Sequence, residues 1–491
     1  MSEPAEHGPP SISARAIRGV AWTLPTSLAS RAVGLVGTLV LARYVAPAEY
    51  GEVSAAAIVT QTAASVSTFG IGVFLVGRRE LSRDEVFHAT CWFLGTGLLA
   101  IAVVLAASGS MGAWFDAPGL GRFLPLLLVS MALDRVAYVP ERVLIRGLRF
   151  RWLSLSRAFG EFAYTGVSLL LAAHGLGAVA VAWGNLARSA LRAAAIVPSV
   201  DWREWLEPHR LRLATMRRIL AYGVSVALTN VAAFGIRRWD NLMVSRFFGP
   251  GVMGSYNYAY NLAEVPATAV GEQIGDVLFA SLPHVEPSRR GAALARALTM
   301  TSIVMLPLAF GLGAIAPTVV QAFFDQKWAS VGMMLVILSA LSATRPIAGL
   351  LQSYLYASER PDVVLWLQWG GLAALVLSIA TVGRLGVLWT CGAVAAVFVL
   401  QTVAFMWAVK LLDGTPVSSF LLPLARPVAA CLAMVAGILV ARPLLAGWAP
   451  GARLLMEASL GAVTYGAGAL LIFRPAALEF LGLVRSALSR R

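Results

Sequence analysis

The sequence predicts an all-α polytopic membrane protein of about 14 transmembrane helices, two parallel lobes of about six spans each followed by two C-terminal helices. Three observations predict it. The 491-residue chain is 58% hydrophobic and only 13% charged, with a mean hydropathy of +0.75, a composition outside that of ordinary soluble domains. Its apolar stretches recur at about the 20 residues that a helix needs to cross a bilayer. One short motif, sitting where one apolar stretch hands over to the next, occurs twice at a separation of about 200 residues, as in a duplicated half.

In chain order, residues 1–18 form a polar, proline-containing segment expected in the cytoplasm. The first apolar stretch is longer than the core of a signal peptide and carries Arg31 at mid-depth, so it is expected to remain as a span. Apolar runs at 19–43, 52–77, 86–108, 119–140, 153–173 and 177–199 make the N-lobe, residues 19–199. Residues 200–216 read as a cytoplasmic interlobe linker. The C-lobe, 217–410, holds runs at 217–245, 252–282, 293–316, 330–357, 362–382 and 386–409. Two further spans, 421–443 and 454–474, have no counterpart in the first half, and 475–491 is a basic cytoplasmic tail.

The repeated motif is Ala42-Arg43-Tyr44-x-x-Pro47-x-x-x-Gly51 and Ser245-Arg246-Phe247-x-x-Pro250-x-x-x-Gly254. An interfacial arginine snorkels, the ring anchors beside it, proline stops one helix and glycine lets the next begin. Two weaker echoes pair Asp134-Arg135 with Thr344-Arg345, and His174-Gly175-Leu176-Gly177 with Gly383-Arg384-Leu385-Gly386.

The formal charge of +14 does not indicate nucleic acid, because the arginines are scattered between apolar runs instead of forming one patch. They fall mostly in alternate loops, among them Arg78, Arg79 and Arg83, then Arg142 to Arg151, then Arg203 to Arg218, then Arg289 and Arg290, then the tail. The positive-inside rule therefore places both termini in the cytoplasm. Cys91, Cys391 and Cys431 lie in apolar runs without paired spacing, which supports neither a disulfide framework nor a metal site. Lys327 and Lys410 are the only lysines, and neither follows a glycine-rich loop, so no ATPase motif is present. Patterns for zinc hydrolysis, serine hydrolysis or metal-dependent glycosyl transfer are absent too, and neither an enzyme nor a cofactor is expected.

Several stretches resemble the polysaccharide transporter family of the multidrug/oligosaccharidyl-lipid/polysaccharide superfamily, with its Wzx-type flippases. They are Ile17-Arg18-Gly19-Val20-Ala21-Trp22, Leu41-Ala42-Arg43-Tyr44, Phe69-Gly70-Ile71-Gly72, Trp239-Asp240-Asn241, Met253-Gly254-Ser255-Tyr256, Ala263-Glu264-Val265-Pro266, Leu278-Phe279-Ala280-Ser281-Leu282-Pro283 and Gln326-Lys327-Trp328-Ala329. The resemblance implies a carrier in the bacterial cytoplasmic membrane that moves a polyprenyl-pyrophosphate-linked oligosaccharide between leaflets for O-antigen, capsule or exopolysaccharide biosynthesis. Membrane lipids, H+ or Na+ as coupling ion, and the polysaccharide polymerase machinery are the implied partners.

A charge at membrane depth costs at least about 2.5–3.5 kcal/mol, so each one calls for a partner or a cavity. Arg31, Arg157, Arg188, Arg237, Arg238 and Arg345 are the candidate substrate-binding residues, since guanidinium pairs its donors on pyrophosphate oxygens. Arg157 and Glu161, like Arg188 and Arg192, share a helix face by their spacing, and a structural ion pair within the first couple is the competing reading. Glu161, Asp240 and Glu264 are the candidate coupling or gating carboxylates, with a salt bridge from Arg237 or Arg238 to Asp240 as the alternative for that residue. Tyr256, Tyr260, Glu264, Thr268, Glu272 and Asp276 form a polar stripe unable to face acyl chains. Tyr256, Tyr258, Tyr260, Tyr354 and Tyr356 are candidates for stacking on sugar rings. Rival readings are an ion-coupled drug or metabolite exporter of the same fold, a polysaccharide polymerase or ligase, and a scaffold without transport. The excess of deep arginine over deep carboxylate speaks against cationic drugs, and the short outer loops speak against the polymerase.

Overall fold

The computed structural model describes residues 29–78, 81–271 and 286–489, and every regular element among them is a helix. Segment 1–18, the stretches 17–22 and 278–283, and Arg79, Glu272, Asp276, Arg490 and Arg491 lie outside the described residues. The chain divides into two compact units, one ending at Phe234 and one beginning at Gly235.

The first unit opens with α1 (29–44), which stops at the first copy of the repeated motif. Its proline then starts α2 (Pro47–Val66), with Ala46 extended just before it, as suits a residue preceding proline. Helix α3 (Ile71–Gly77) continues α2 after a bend of 52°. The bend is made by Phe69 and Gly70, both in the left-handed region with φ of 46° and 68°. A side chain at Gly70 would run into the backbone of Gly223, and one at Gly223 into Phe69, so only a glycine pair permits this approach. Next come α4 (Arg83–Trp114), α5 (Leu120–Arg146), α6 (Phe150–Ala173) and α7 (Val179–Ile196). Glu52 accepts from Gly119 N (3.0 Å), the residue before α5, and Glu49 accepts from Ala178 N (3.2 Å), the residue before α7. Both carboxylates thus meet the positive end of a neighbouring helix.

Helix α8 (Leu213–Pro266) contains the second motif copy, and Gly249 breaks its helical geometry immediately before Pro250. The two copies share one burial pattern: Ala42 and Ser245 are fully buried, whereas Arg43, Tyr44, Arg246 and Phe247 are exposed. The second unit continues with α9 (Pro287–Phe323), α10 (Ser330–Leu338), α11 (Leu341–Ala357), α12 (Pro361–Val382), α13 (Val387–Asp413), α14 (Ser418–Ala441), α15 (Pro450–Ile472) and α16 (Arg474–Ser489). The segment Gln326–Leu338 meets α11 at 40°. The last spans seat on α9, where Cys431, Met434 and Ile438 pack against Leu306 and Ala309.

Among the described residues eight helices are long and apolar enough to cross a bilayer, and the two bent pairs raise this to ten. The other expected spans are α1, described only from residue 29, α6 and α7 with their internal charges, and the eighth, which shares α8 with the seventh. Leu98, Leu99, Trp366, Leu400 and Leu471 are each more than 60% exposed, an outer surface suited to acyl chains. The chain is a multi-pass membrane protein.

Residues 200–216, expected as a linker, fold back onto the first unit. Thr90 donates to Trp205 O (2.9 Å), His88 Nε2 accepts from Arg212 N (2.7 Å), and Arg83 pairs with Glu207 at 2.9 Å. The compact units part later, inside α8, because these bonds hold the segment to α4.

Candidate functional site

Two clusters of charge lie at membrane depth, one in each unit. In the second unit, Arg345 follows the bend between α10 and α11 and reaches α8, where it donates to Glu264 Oε1 and to the Tyr260 hydroxyl. Its guanidinium also lies 5.0 Å from the ring centres of Tyr260 and of Phe398 on α13. Its Nε is buried with no hydrogen-bond partner among the described residues. Arg238, earlier on α8, donates to Asn261 Oδ1 at 3.0 Å and to Glu264 Oε2 at 3.4 Å. Glu264 is therefore held by two arginines, each on a different oxygen. One turn-like step later the helix widens into π geometry over Ala267–Gly271, directly after Pro266, where a proline interrupts regular helical bonding.

Asp240 is fully buried, accepting from the Tyr256 hydroxyl (2.6 Å) and from Asn241 Nδ2 (3.0 Å). The alternative salt bridge from Arg238 is thus replaced, because Arg238 reaches along α8 to Glu264. Arg237 is exposed. Tyr256, Tyr258 and Tyr260 are fully buried; Tyr258 packs edge-on against Phe324 and Trp328, at 5.6 and 4.5 Å. Their expected stacking on sugar rings is corrected, since no ring face is open. Tyr354 is buried too, and Tyr356 is exposed.

In the first unit, the pairing expected between Arg157 and Glu161 along α6 is replaced by bonds between helices. Arg157 binds Glu141 of α5 at 2.8 Å, and Glu161 binds Arg188 of α7 at 3.0 Å. Glu141 also takes Arg192 at 3.0 Å, and Arg192 lies 3.6 Å from Asp134. Gly160 makes room for this, since a Cβ there would meet Arg192 and Arg188. Facing helices outcompete the helical repeat because α6 and α7 lie side by side and bury both arginine stems between them. Arg31, on α1, is half-buried.

Sequence reasoning left Arg135 out of the site, although its echo with Arg345 pointed to it. Arg135 is 5% exposed and makes no ion pair among the described residues. It donates to Ala64 O (2.7 Å), Ser67 O (3.3 Å) and Ser67 Oγ, at the end of α2 where the bend begins. Phe93 of α4 lies under its guanidinium at 4.2 Å. Arg135 and Arg345 thus repeat one arrangement, in which an arginine grips the break in the second span of its half and stacks on an aromatic ring. The shift that carries Arg43 onto Arg246 also carries Gln61 onto Glu264, so the first half presents a neutral amide where the second has a carboxylate. Gln61, Arg135 and Arg188 line a cavity of about 300 Å³ between α2, α4, α5 and α7.

A family model described as polysaccharide biosynthesis protein matches residues 40–332. The succinoglycan biosynthesis transport protein ExoT of Rhizobium meliloti (strain 1021) is 24% identical, with 97% of each chain covered. The lipopolysaccharide biosynthesis protein WzxC of Escherichia coli (strain K12) is 23% identical, with 72% of each chain covered. Among solved structures, the lipid II flippase MurJ in an inward closed conformation superposes with a TM-score of 0.75 at 15% identity, covering 92% of this chain and 98% of its own. An inward-facing multidrug resistance MATE transporter gives 0.60 at 15% identity, covering 81% and 98%. These likenesses establish the fold: the chain is built as the extrusion transporters are.

Proposed function

The chain belongs to the polysaccharide biosynthesis protein family, and from that membership we propose that it is a flippase for a polyprenyl-pyrophosphate-linked oligosaccharide. It carries this lipid across the cytoplasmic membrane by alternating access, for assembly of O-antigen, capsule or exopolysaccharide, and it acts as a carrier, not an enzyme. The relatives named for succinoglycan transport and lipopolysaccharide biosynthesis support this reading, as does the fold shared with a lipid II flippase. The observation that carries it is Arg345, a guanidinium in mid-span bonded to Glu264 and Tyr260 while its buried Nε has no partner among the described residues.

The chemistry follows from exchange of partners. Glu264 neutralises Arg345 and Arg238. A pyrophosphate accepts the same donors with more charge and more oxygens, so it displaces the carboxylate. Protonation of Glu264 cancels its charge and frees both guanidinium groups, which gives H+ a way to drive the exchange; Asp240 and Glu161 are the further coupling candidates. Arg31, Arg157 and Arg237 extend the cationic path for the headgroup, while the polyprenyl chain stays in the bilayer. Both termini lie in the cytoplasm, and the polymerase machinery receives the product on the outer side.

The test is complementation of a deletion strain. Arg345→Ala and Arg31→Ala are expected to abolish surface polysaccharide and to accumulate the lipid-linked oligosaccharide, compared with wild type at matched levels of membrane-inserted protein. Full export by both variants refutes the cationic path.

A further inference from the structure

We propose that the cavity inside the first unit is a sugar subsite: it takes a neutral glycosyl residue of the oligosaccharide head and leaves the pyrophosphate to other residues. This rests on the flippase reading and adds to it the place where the glycan is recognised.

The cavity does not suit a pyrophosphate. At Glu264 two guanidinium groups share one carboxylate, whereas the donors here are spread over several acceptors and a second carboxylate, Asp134, stands beside them. Arg188 gives Nη1 to Glu161 (3.0 Å) and Nη2 to Asn185 Oδ1. Arg135 gives both terminal nitrogens to Ala64 and Ser67. Asp134 stands on the same wall with a side chain 46% exposed, and would repel an anion.

What remains suits hydroxyl groups. Asp134 accepts from Ser189 through one oxygen (2.9 Å), and its other oxygen lies 3.6 Å from Arg192, past hydrogen-bond distance, on a side chain 46% exposed, so it can still accept. The Gln61 amide and the Tyr138 hydroxyl make no hydrogen bond among the described residues, and both line the space. A carboxylate that only accepts, an amide that does both and a phenol that does both meet the donor and acceptor character of adjacent ring hydroxyls. An apolar wall completes the set: Ala57, Leu127 and Met131 also line the space, aliphatic surface for the C–H face of a pyranose. The volume of about 300 Å³ lies at the low end of small-molecule sites, about 300–1,000 Å³. It admits a sugar residue and excludes a whole oligosaccharide.

The test compares two probes bound to the full-length protein in nanodiscs: the lipid-linked oligosaccharide purified from the producing bacterium, and bare polyprenyl pyrophosphate. Wild type is expected to bind the glycosylated lipid at least about tenfold more tightly. Gln61→Ala and Asp134→Asn should remove most of that difference while the affinity for bare carrier stays as in wild type. Gln61 is exposed and makes no hydrogen bond among the described residues, so its replacement leaves packing intact and keeps the test decisive. Equal losses for both probes, or no loss for either, overturn the subsite. Wild type that binds neither probe overturns the flippase reading itself.

Discussion

Glu264 holds two arginines, and the energetics of buried ion pairs make that arrangement testable one residue at a time. Removing one partner of a buried pair costs about 3–5 kcal/mol, because the other charge is left stranded, whereas replacing both by neutral groups of similar size costs far less. Arg345→Met is therefore expected to lower thermal stability in detergent substantially. Glu264→Gln should cost more than Arg345→Met, because it strands both Arg345 and Arg238, whereas Arg345→Met leaves Glu264 paired with Arg238. A single variant as stable as wild type would show that Glu264 and Arg345 are not coupled. At this scale the sequence was only half legible. That Arg345 and Glu264 need partners followed from their depth, but Arg157 and Glu161 misled. Helical spacing says which residues share a face, and it does not say what the neighbouring helix offers. Glu141 went unnoticed because it lies beside Arg142 and Pro140 near the end of α5, where a carboxylate reads as an interfacial charge.

Among the elements, the broken second span of each half is the recurring device. In the first half Gly70 sits at φ 68° with the Gly223 backbone against it, and Arg135 satisfies the carbonyls that the bend releases. Left-handed geometry costs a non-glycine residue about 1–2 kcal/mol, and here a Cβ also collides with backbone. Gly70→Ala is thus expected to lose well over that amount, and Gly223→Ala to lose stability from the collision alone. Arg135→Leu should cost a further few kcal/mol by leaving carbonyls at the bend unsatisfied, about 1–3 kcal/mol each. Thermal unfolding of the purified variants measures all three, and an unperturbed Gly70→Ala would show that the α2–α3 bend relaxes freely. The motif Phe69-Gly70-Ile71-Gly72 marked the end of a span in the sequence, yet the bend was not foreseen. The glycine pair is separated by most of the first unit, and only packing brings its members together.

For the whole molecule, the two C-terminal spans belong to the second unit's core. Glu457 is fully buried between Arg442 (3.2 Å) and Arg453 (3.1 Å), and Arg442 also donates to Ala314 O on α9. Glu457→Ala leaves two arginines without their carboxylate, and truncation after Asp413 uncovers the α9 face lined by Leu306 and Ala309. Both changes are expected to reduce the amount of folded protein, read as the monodisperse fraction of a tagged chain; an unchanged yield after truncation would make these spans peripheral. The expected inward position of the termini is tested in the same strains, where a C-terminal fluorescent protein should fold and glow while a periplasmic reporter at that point stays silent.

The sequence alone determined the class of this molecule, because a bilayer leaves few options: about 20 apolar residues in succession must be helical to satisfy their own backbone. It also determined the duplication, since proline, glycine and an interfacial arginine act locally and leave the same spacing in each copy. Tertiary structure alone decided which charge meets which, that residues 200–216 bind back onto α4, that the tyrosines of α8 are closed off, and that a small polar cavity lies within the first unit. Those outcomes depend on contacts between helices far apart in the chain, and electrostatic and packing energies act on distance in space, which the order of residues does not contain.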